Sequence, residues 1–287
     1  MLYQVVASLL VTVVLLGYKI SAWKRLLSVN QRRRELNQSL ALLQPKLENE
    51  ETALWINDVA HDSAQRQSRI DEMALQLDHV YSTLENEAMK AGEAMFAVFE
   101  SNSAGVKQLK HSAVILCSET KLDEATGLLL GRGAAMIRAA VLDCVAYMLN
   151  YDSRHIMSVT DKTVFVRCEL LEHANAHHTI IFNRAKTGAG LRDRTFLNSM
   201  VAKRVAGDLP AYMVVGLPIA HHAKITRQDE KGAVRAENCR SFRFTEVAPG
   251  ITKVEYTCAL DLRGSIPRVI TNTLATPGQM HGTPRLF

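Results

Sequence analysis

The sequence predicts an α+β domain built around a curved antiparallel sheet, and three observations predict it. Segments with alternating apolar residues recur between residues 164 and 262. The stretch "TKVEYTCALDLRGSIPRVITN", residues 252–272, alternates like a strand, stops at Gly264, passes Pro267 and then reads as a helix. A polar, helix-forming region precedes the strands and ends at the linker "SNSAG", residues 101–105. With 47% hydrophobic and 22% charged residues the composition is that of a globular protein, and 287 residues suffice for one domain with an appended element or for two small ones.

Residues 1–18, "MLYQVVASLLVTVVLLGY", carry no charged side chain. As a helix they are about 27 Å long, and they span a hydrocarbon core of ~30 Å if Lys19 snorkels and residues 20–23 continue the helix. A membrane anchor over residues 1–23 is the expectation, with a buried core helix as its rival. No positive charge precedes the run and no small-residue cleavage site follows it, which argues against a signal peptide. Lys19, Lys24, Arg25 and Arg32 to Arg34 all follow it, so the positive-inside bias places the carboxyl-terminal domain in the cytosol.

Residues 24–100 read as amphipathic and coiled-coil-like. Leu36, Leu40, Leu43, Leu47 and Leu54 share one helical face, and Ile70, Met73, Leu77, Val80 and Leu84 follow at spacings of three and four. The pattern breaks at Glu50, Asn57 and His61. Two short helices packed on each other or on the next domain fit it, and so does an oligomerising rod. The folded domain is expected over residues 101–287. Residues 112–117 read as a strand, and residues 131–150, "GRGAAMIRAAVLDCVAYMLN", as a helix presenting Ile137, Val141, Cys144, Val145 and Met148. Strands follow at residues 164–170, 179–182 and 212–219, where Met213, Val215, Leu217 and Ile219 alternate. In the closing strand Val254, Tyr256, Cys258, Leu260 and Leu262 face one way, and Lys253, Glu255, Thr257 and Asp261 the other.

Little in the sequence points to a reaction. The five cysteines are never closer than nineteen residues apart, so no CxxC spacing exists, and they read as buried reduced thiols. "EHANAHH" places a turn residue, Asn175, between strand-like segments, and His177 and His178 as strand neighbours point to opposite faces, so a shared metal is not expected. "KTGAGLRDR" lacks both the Lys-Ser/Thr ending of a P-loop and the third glycine of a dinucleotide fingerprint. No GxSxG elbow occurs. Arg192, Arg194, Lys203 and Arg204 are not interleaved with aromatic residues as a base-stacking surface requires. The net charge of +5 suits an anionic surface without selecting one. No catalytic residue, cofactor, metal or nucleic-acid partner is expected, and the apolar strand faces suit a binding cavity.

Residues 233–272, "AVRAENCRSFRFTEVAPGITKVEYTCALDLRGSIPRVITN", resemble the carboxyl-terminal half of a START domain, the lipid-transfer domain related to the steroidogenic acute regulatory protein. The resemblance lies in Val234-Arg235-Ala236-Glu237, in Thr252-Lys253-Val254, and in the run from Asp261 through Gly264 to Pro267; Arg192, Asp193 and Phe196 resemble a further strand motif. It extends over roughly residues 88–280. The resemblance implies a helix-grip fold, in which the sheet wraps a closing helix over an apolar tunnel that holds one lipid. It implies a cavity lined by Met200, Met213, Val215, Val254, Tyr256, Cys258, Leu260, Ile266, Val269 and Ile270. Several members carry a cavity arginine at the register of Met200, so a more apolar and permissive cavity is expected here. The implied function is binding, and intermembrane transfer, of a hydrophobic lipid without catalysis. The alternatives are a membrane-tethered scaffold that self-associates through residues 24–100, and a helix-grip enzyme such as an aromatic cyclase.

Overall fold

The computed structural model describes residues 67–72, 79–101, 103–111, 115–151, 165–187 and 191–277. The expected anchor at residues 1–23 and most of the 24–100 region lie outside them. No described helix is long and apolar enough to cross a membrane.

Helix α1, Thr83–Glu100, opens on a capping box. The Ser82 hydroxyl accepts from the Glu85 N–H, while the Ser82 N–H donates to the Glu85 carboxylate. Glu85, Ala88, Met89, Gly92, Phe96 and Phe99 form its buried face. Val80 and Leu84, expected on an apolar stripe, are exposed, because the helix begins only at Thr83 and turns a different set of residues toward the sheet.

After α1 come β1 (Lys107–Gln108), β2 (Ile115–Asp123), β3 (Leu128–Ile137), helix α2 (Val141–Leu149), β4 (Phe165–Asn175), β5 (His178–Ala185), β6 (Asp193–Val205), β7 (Ala211–Pro218), β8 (Ala233–Arg235), β9 (Glu237–Ala248) and β10 (Ile251–Asp261). A short closing helix, α3 (Arg268–Ile270), continues as a π-turn, Thr271–Ala275. All the strands belong to one sheet in the order β1-β2-β3-β10-β9-β7-β6-β5-β4, antiparallel throughout, with β8 parallel to the start of β6.

Two expectations are corrected here. Residues 131–150 are not one helix, since Leu128–Ile137 is a strand in the middle of the sheet and only Val141–Leu149 is helical. Gly131, Gly133 and Ala135 pair with Cys258, Tyr256 and Val254, so this strand forms against β10 despite a composition that reads as helical. The second correction concerns the polar edge of β10. Glu255 and Thr257 are buried, because β10 lies between β3 and β9 with α1 across that side. Glu255 is matched there by Arg132, at 3.2 Å, which also meets Glu119 at 3.4 Å, and by Lys253 at 3.2 Å.

Ala88, Met89 and Phe96 of α1 pack on Val201, Met213 and Val215. The Arg243 guanidinium stacks 4.3 Å from the Phe96 ring centroid and bonds Glu100 at 3.0 Å.

At the start of α1 the Glu85 carboxylate is 2% exposed. Burial alone would raise its pKa, but the Asn175 amide at 2.8 Å, the Ser82 cap and the His178 ring at 3.3 Å outweigh it and hold the carboxyl down at about 2. A carboxyl depressed on folding stabilises the fold fully above its unfolded value of 4.5, and that stabilisation is lost as pH falls toward 2. The amount is on the order of 3 kcal/mol. Burial also holds His178 below its ordinary value, which acts in the same direction as the medium acidifies. Glu85→Gln is therefore expected to flatten the acid limb of a stability-versus-pH curve between pH 4.5 and 2. An unchanged slope in urea titrations across that range would contradict it.

Candidate functional site

Pairing register decides what each face of the sheet carries. Thr179, Met200, Gly216, Arg240, Cys258 and Gly131 are successive partners across β5, β6, β7, β9, β10 and β3, so they share one face. Beside that row runs a second, Ala202, Val214, Phe242, Tyr256 and Gly133. The rings of Phe242 and Tyr256 stack with centroids 4.5 Å apart, and Phe244 lies parallel to Phe242 at 6.0 Å. Val141, Cys144, Val145, Met148 and Leu149 of α2 cover this face, so it forms the largest buried apolar cluster among the described residues.

Met200, Val254, Tyr256 and Cys258 therefore come together, each 4% exposed or less. Leu260, two residues beyond Cys258 on the same strand, is buried as well. Met213 and Val215 do not join them: they alternate with Val214 and lie on the opposite face, against α1. That corrects their expected place, and the reason is the period of two, since Val214 occupies the position that faces Phe242.

Ile266 is partly buried, whereas Val269 is 74% and Ile270 46% exposed, so the closing helix does not turn them inward. Its rotation is set by polar anchors to the β2–β3 turn. The Asn272 side chain accepts from the Leu129 N–H at 3.0 Å and donates to the Gly127 carbonyl at 3.1 Å, and Arg268 donates to the Thr126 carbonyl at 2.7 Å. In the π-turn the Thr276 N–H bonds the Thr271 carbonyl, and both threonines are buried. The strand-to-helix connection holds Arg263 and Gly264 at φ 48° and 70°, a left-handed pair that a glycine makes accessible.

Sequence reasoning passed over Arg240, Phe242 and Phe244. The signal was present in "NCRSFRF", where Asn238, Arg240, Phe242 and Phe244 share the parity of the inward face. Arg240 stands on the same face as Met200, two strands away across Gly216. A β-carbon built at Gly216 would lie 2.6 Å from Met200 Sδ and 3.0 Å from Arg240 Nε, so the sulfur and the guanidinium stem meet over that glycine. The face is thus not purely apolar, as Met200 alone implied.

The cysteines are all free, and burial pushes the Cys258 thiol up to about 12, so it stays protonated. Among the described residues no cluster of three or more His, Cys, Asp or Glu side chains could hold a metal ion. His177 sits in the β4–β5 turn stacked on His79, and His178 meets Glu85 and Ser199. A separate surface cleft of about 430 Å³ lies between Leu197, Ile219, Arg235, Glu237 and Arg263.

No family model and no curated protein matches this chain. Solved structures do resemble it. The lipid transfer and protein localization domain of human StarD13 (DLC2) is 18% identical, with a TM-score of 0.50 over 72% of this chain and 96% of that one. Human StAR-related lipid transfer protein 5 is 13% identical, with a TM-score of 0.51 over 70% and 99%. The STAR-related lipid transfer protein from Xanthomonas axonopodis is 19% identical, with a TM-score of 0.51 over 63% and 99%. With α1 across one face, α2 on the other and a strand-turn-helix at its end, the sheet of this chain forms a START-like domain.

Proposed function

We propose that this protein binds a hydrophobic lipid on the α2-covered face of its sheet and carries it between membranes, without catalysis. The observation that carries the reading is the shared apolar face of Met200, Phe242, Val254, Tyr256 and Cys258 within a START-like fold. A lipid leaving a bilayer for such a face exchanges one apolar surrounding for another, so the equilibrium is nearly neutral and the barrier is the opening of the cover. Residues 1–23 would hold the domain beside its donor membrane on the cytosolic side and raise the effective concentration of lipid at the face.

Native mass spectrometry of the full-length protein tests the reading: a co-purified lipid is expected. A protein that carries none and takes up none from vesicles would overturn it. Stable oligomers held by residues 24–100 with no lipid would favour the scaffold instead. Carbonate extraction tests the anchor, with retention in the membrane pellet expected and release into the soluble fraction removing it from the account.

A further inference from the structure

The segment that enters α1 is fastened to the β4–β5 turn by titratable side chains that the α2-covered face does not use. Residues 67–72 are helical, and buried Arg69 donates to the Asn175 and Ala176 carbonyls at 3.4 and 3.5 Å. Its guanidinium also reaches the His173 ring, with Nε2 at 2.9 Å. His79 stacks on His177 with ring centroids 4.9 Å apart, and the Tyr81 ring meets them at 4.6 and 5.6 Å. The Tyr81 hydroxyl donates to the Ala202 carbonyl at 3.0 Å and lies 3.3 Å from His177 Nδ1. His79 Nε2 and His178 Nδ1 flank the Glu85 carboxylate at 3.5 and 3.3 Å, and His178 Nε2 bonds the Ser199 hydroxyl at 2.8 Å.

Among the described residues the charges beside these rings are Arg69 and Glu72 on the helical turn, Glu85 on α1, Glu172 on β4 and Lys203 on β6. Glu72 is half exposed and pairs with Arg69 at 3.6 Å, and Glu172 is held by His222 at 2.9 Å. Lys203 lies 4.8 Å from the Tyr81 ring centroid and bonds Asn86. Glu85 is thus the carboxylate that can match a proton on His79 or His178, and it can match one. A further proton meets only cations. On His173 it turns an acceptor for Arg69 into a second cation against a guanidinium that keeps its charge. On His177 it sets a cation face to face with the His79 ring.

We infer that His79, His173, His177 and His178 form an acid-released latch: with the rings uncharged they hold residues 67–82 on the β4–β5 turn, and in a mildly acidic medium a second proton lets that segment leave while the sheet stays paired. The sheet is independent of the latch because β4, β5 and β6 are joined by their own ladders. Burial holds His178 below its ordinary value of 6.5. A histidine depressed in this way keeps the latch fully closed above 6.5, and the hold is lost as pH falls below that value. This window lies above the one that Glu85 sets on the fold as a whole. The inference does not depend on lipid binding.

Hydrogen exchange of the full-length protein at pH 7.5, 6.5 and 5.5, read by mass spectrometry and corrected for the intrinsic effect of pH on exchange, tests it. Each net proton taken up on opening changes the opening equilibrium up to about 10-fold per pH unit. Protection of peptides covering Arg69 and Tyr81 is therefore expected to fall about 10-fold between pH 6.5 and 5.5, while β7, β9 and β10 keep theirs. His173→Gln retains an acceptor for Arg69 without its proton and should make the fall shallower. Adding His79→Phe and His177→Phe, which keep the ring stack, should flatten it. His221→Gln, at an exposed position outside the cluster, should leave the wild-type fall in place. A flat wild-type profile would overturn the latch, and so would an equal fall in β7, β9 and β10, which marks unfolding of the whole domain. An undiminished fall in His173→Gln would also overturn it, and that single variant serves if the triple one does not fold.

Discussion

Gly92→Leu is expected to unseat α1 from the sheet. Even the first carbon of a side chain at Gly92 would lie 2.4 Å from Val215 Cγ2 and 2.8 Å from Ser241 Oγ. Neither neighbour can swing away, because Val215 and Ser241 are 0% exposed and Val215 is β-branched and held to few rotamers. The helix must therefore rise, and with it Met89 and Phe96 lose their contacts with Val201, Met213 and Val215. Overpacking of this kind costs about 1–3 kcal/mol, and partial loss of two large buried side chains adds a similar amount, so a total of about 4 kcal/mol is expected. Urea denaturation of the wild-type and variant proteins measures it. A loss below about 1 kcal/mol would mean that α1 slides along the sheet without losing its seat.

Phe242→Ala is expected to destabilise by about 4 kcal/mol, within the range for emptying a phenylalanine site in a packed interior. The ring is 1% exposed and stacks against Tyr256 at 4.5 Å and Phe244 at 6.0 Å, so the truncation removes a transfer contribution and two ring contacts together. In a domain of this size that corresponds to a fall in melting temperature of roughly 10 °C. A loss of under about 2 kcal/mol would show that α2 settles into the space.

Much of the domain was legible in local pattern. The alternation of Val254, Tyr256, Cys258 and Leu260 placed the closing strand and its apolar face correctly, because a period of two is a property of the strand itself. The turn at Arg263 and Gly264 was likewise readable, since few residues other than glycine accept a left-handed backbone. The residues from Val234 to Pro267 carried enough of the START pattern to name the fold before any coordinates.

What the sequence could not determine was which neighbours cover each face. Residues 131–137 have small side chains that a helix or a strand accepts, and pairing with β10 decides for the strand. Met213 and Val215 look like cavity residues in isolation, but α1 lies on their side of the sheet. Glu255 and Thr257 look solvent-facing until β10 is placed at the centre of the sheet under α1. Val269 and Ile270 are carried outward by Asn272, whose partners at Gly127 and Leu129 lie more than a hundred residues earlier in the chain. Arg240 depends on the same kind of distant pairing, since its neighbours across the sheet are Gly216 on one side and Cys258 on the other. Local periodicity sets which residues share a face of their own strand, whereas long-range pairing sets what that face meets, and the chemistry of this face resides in the second.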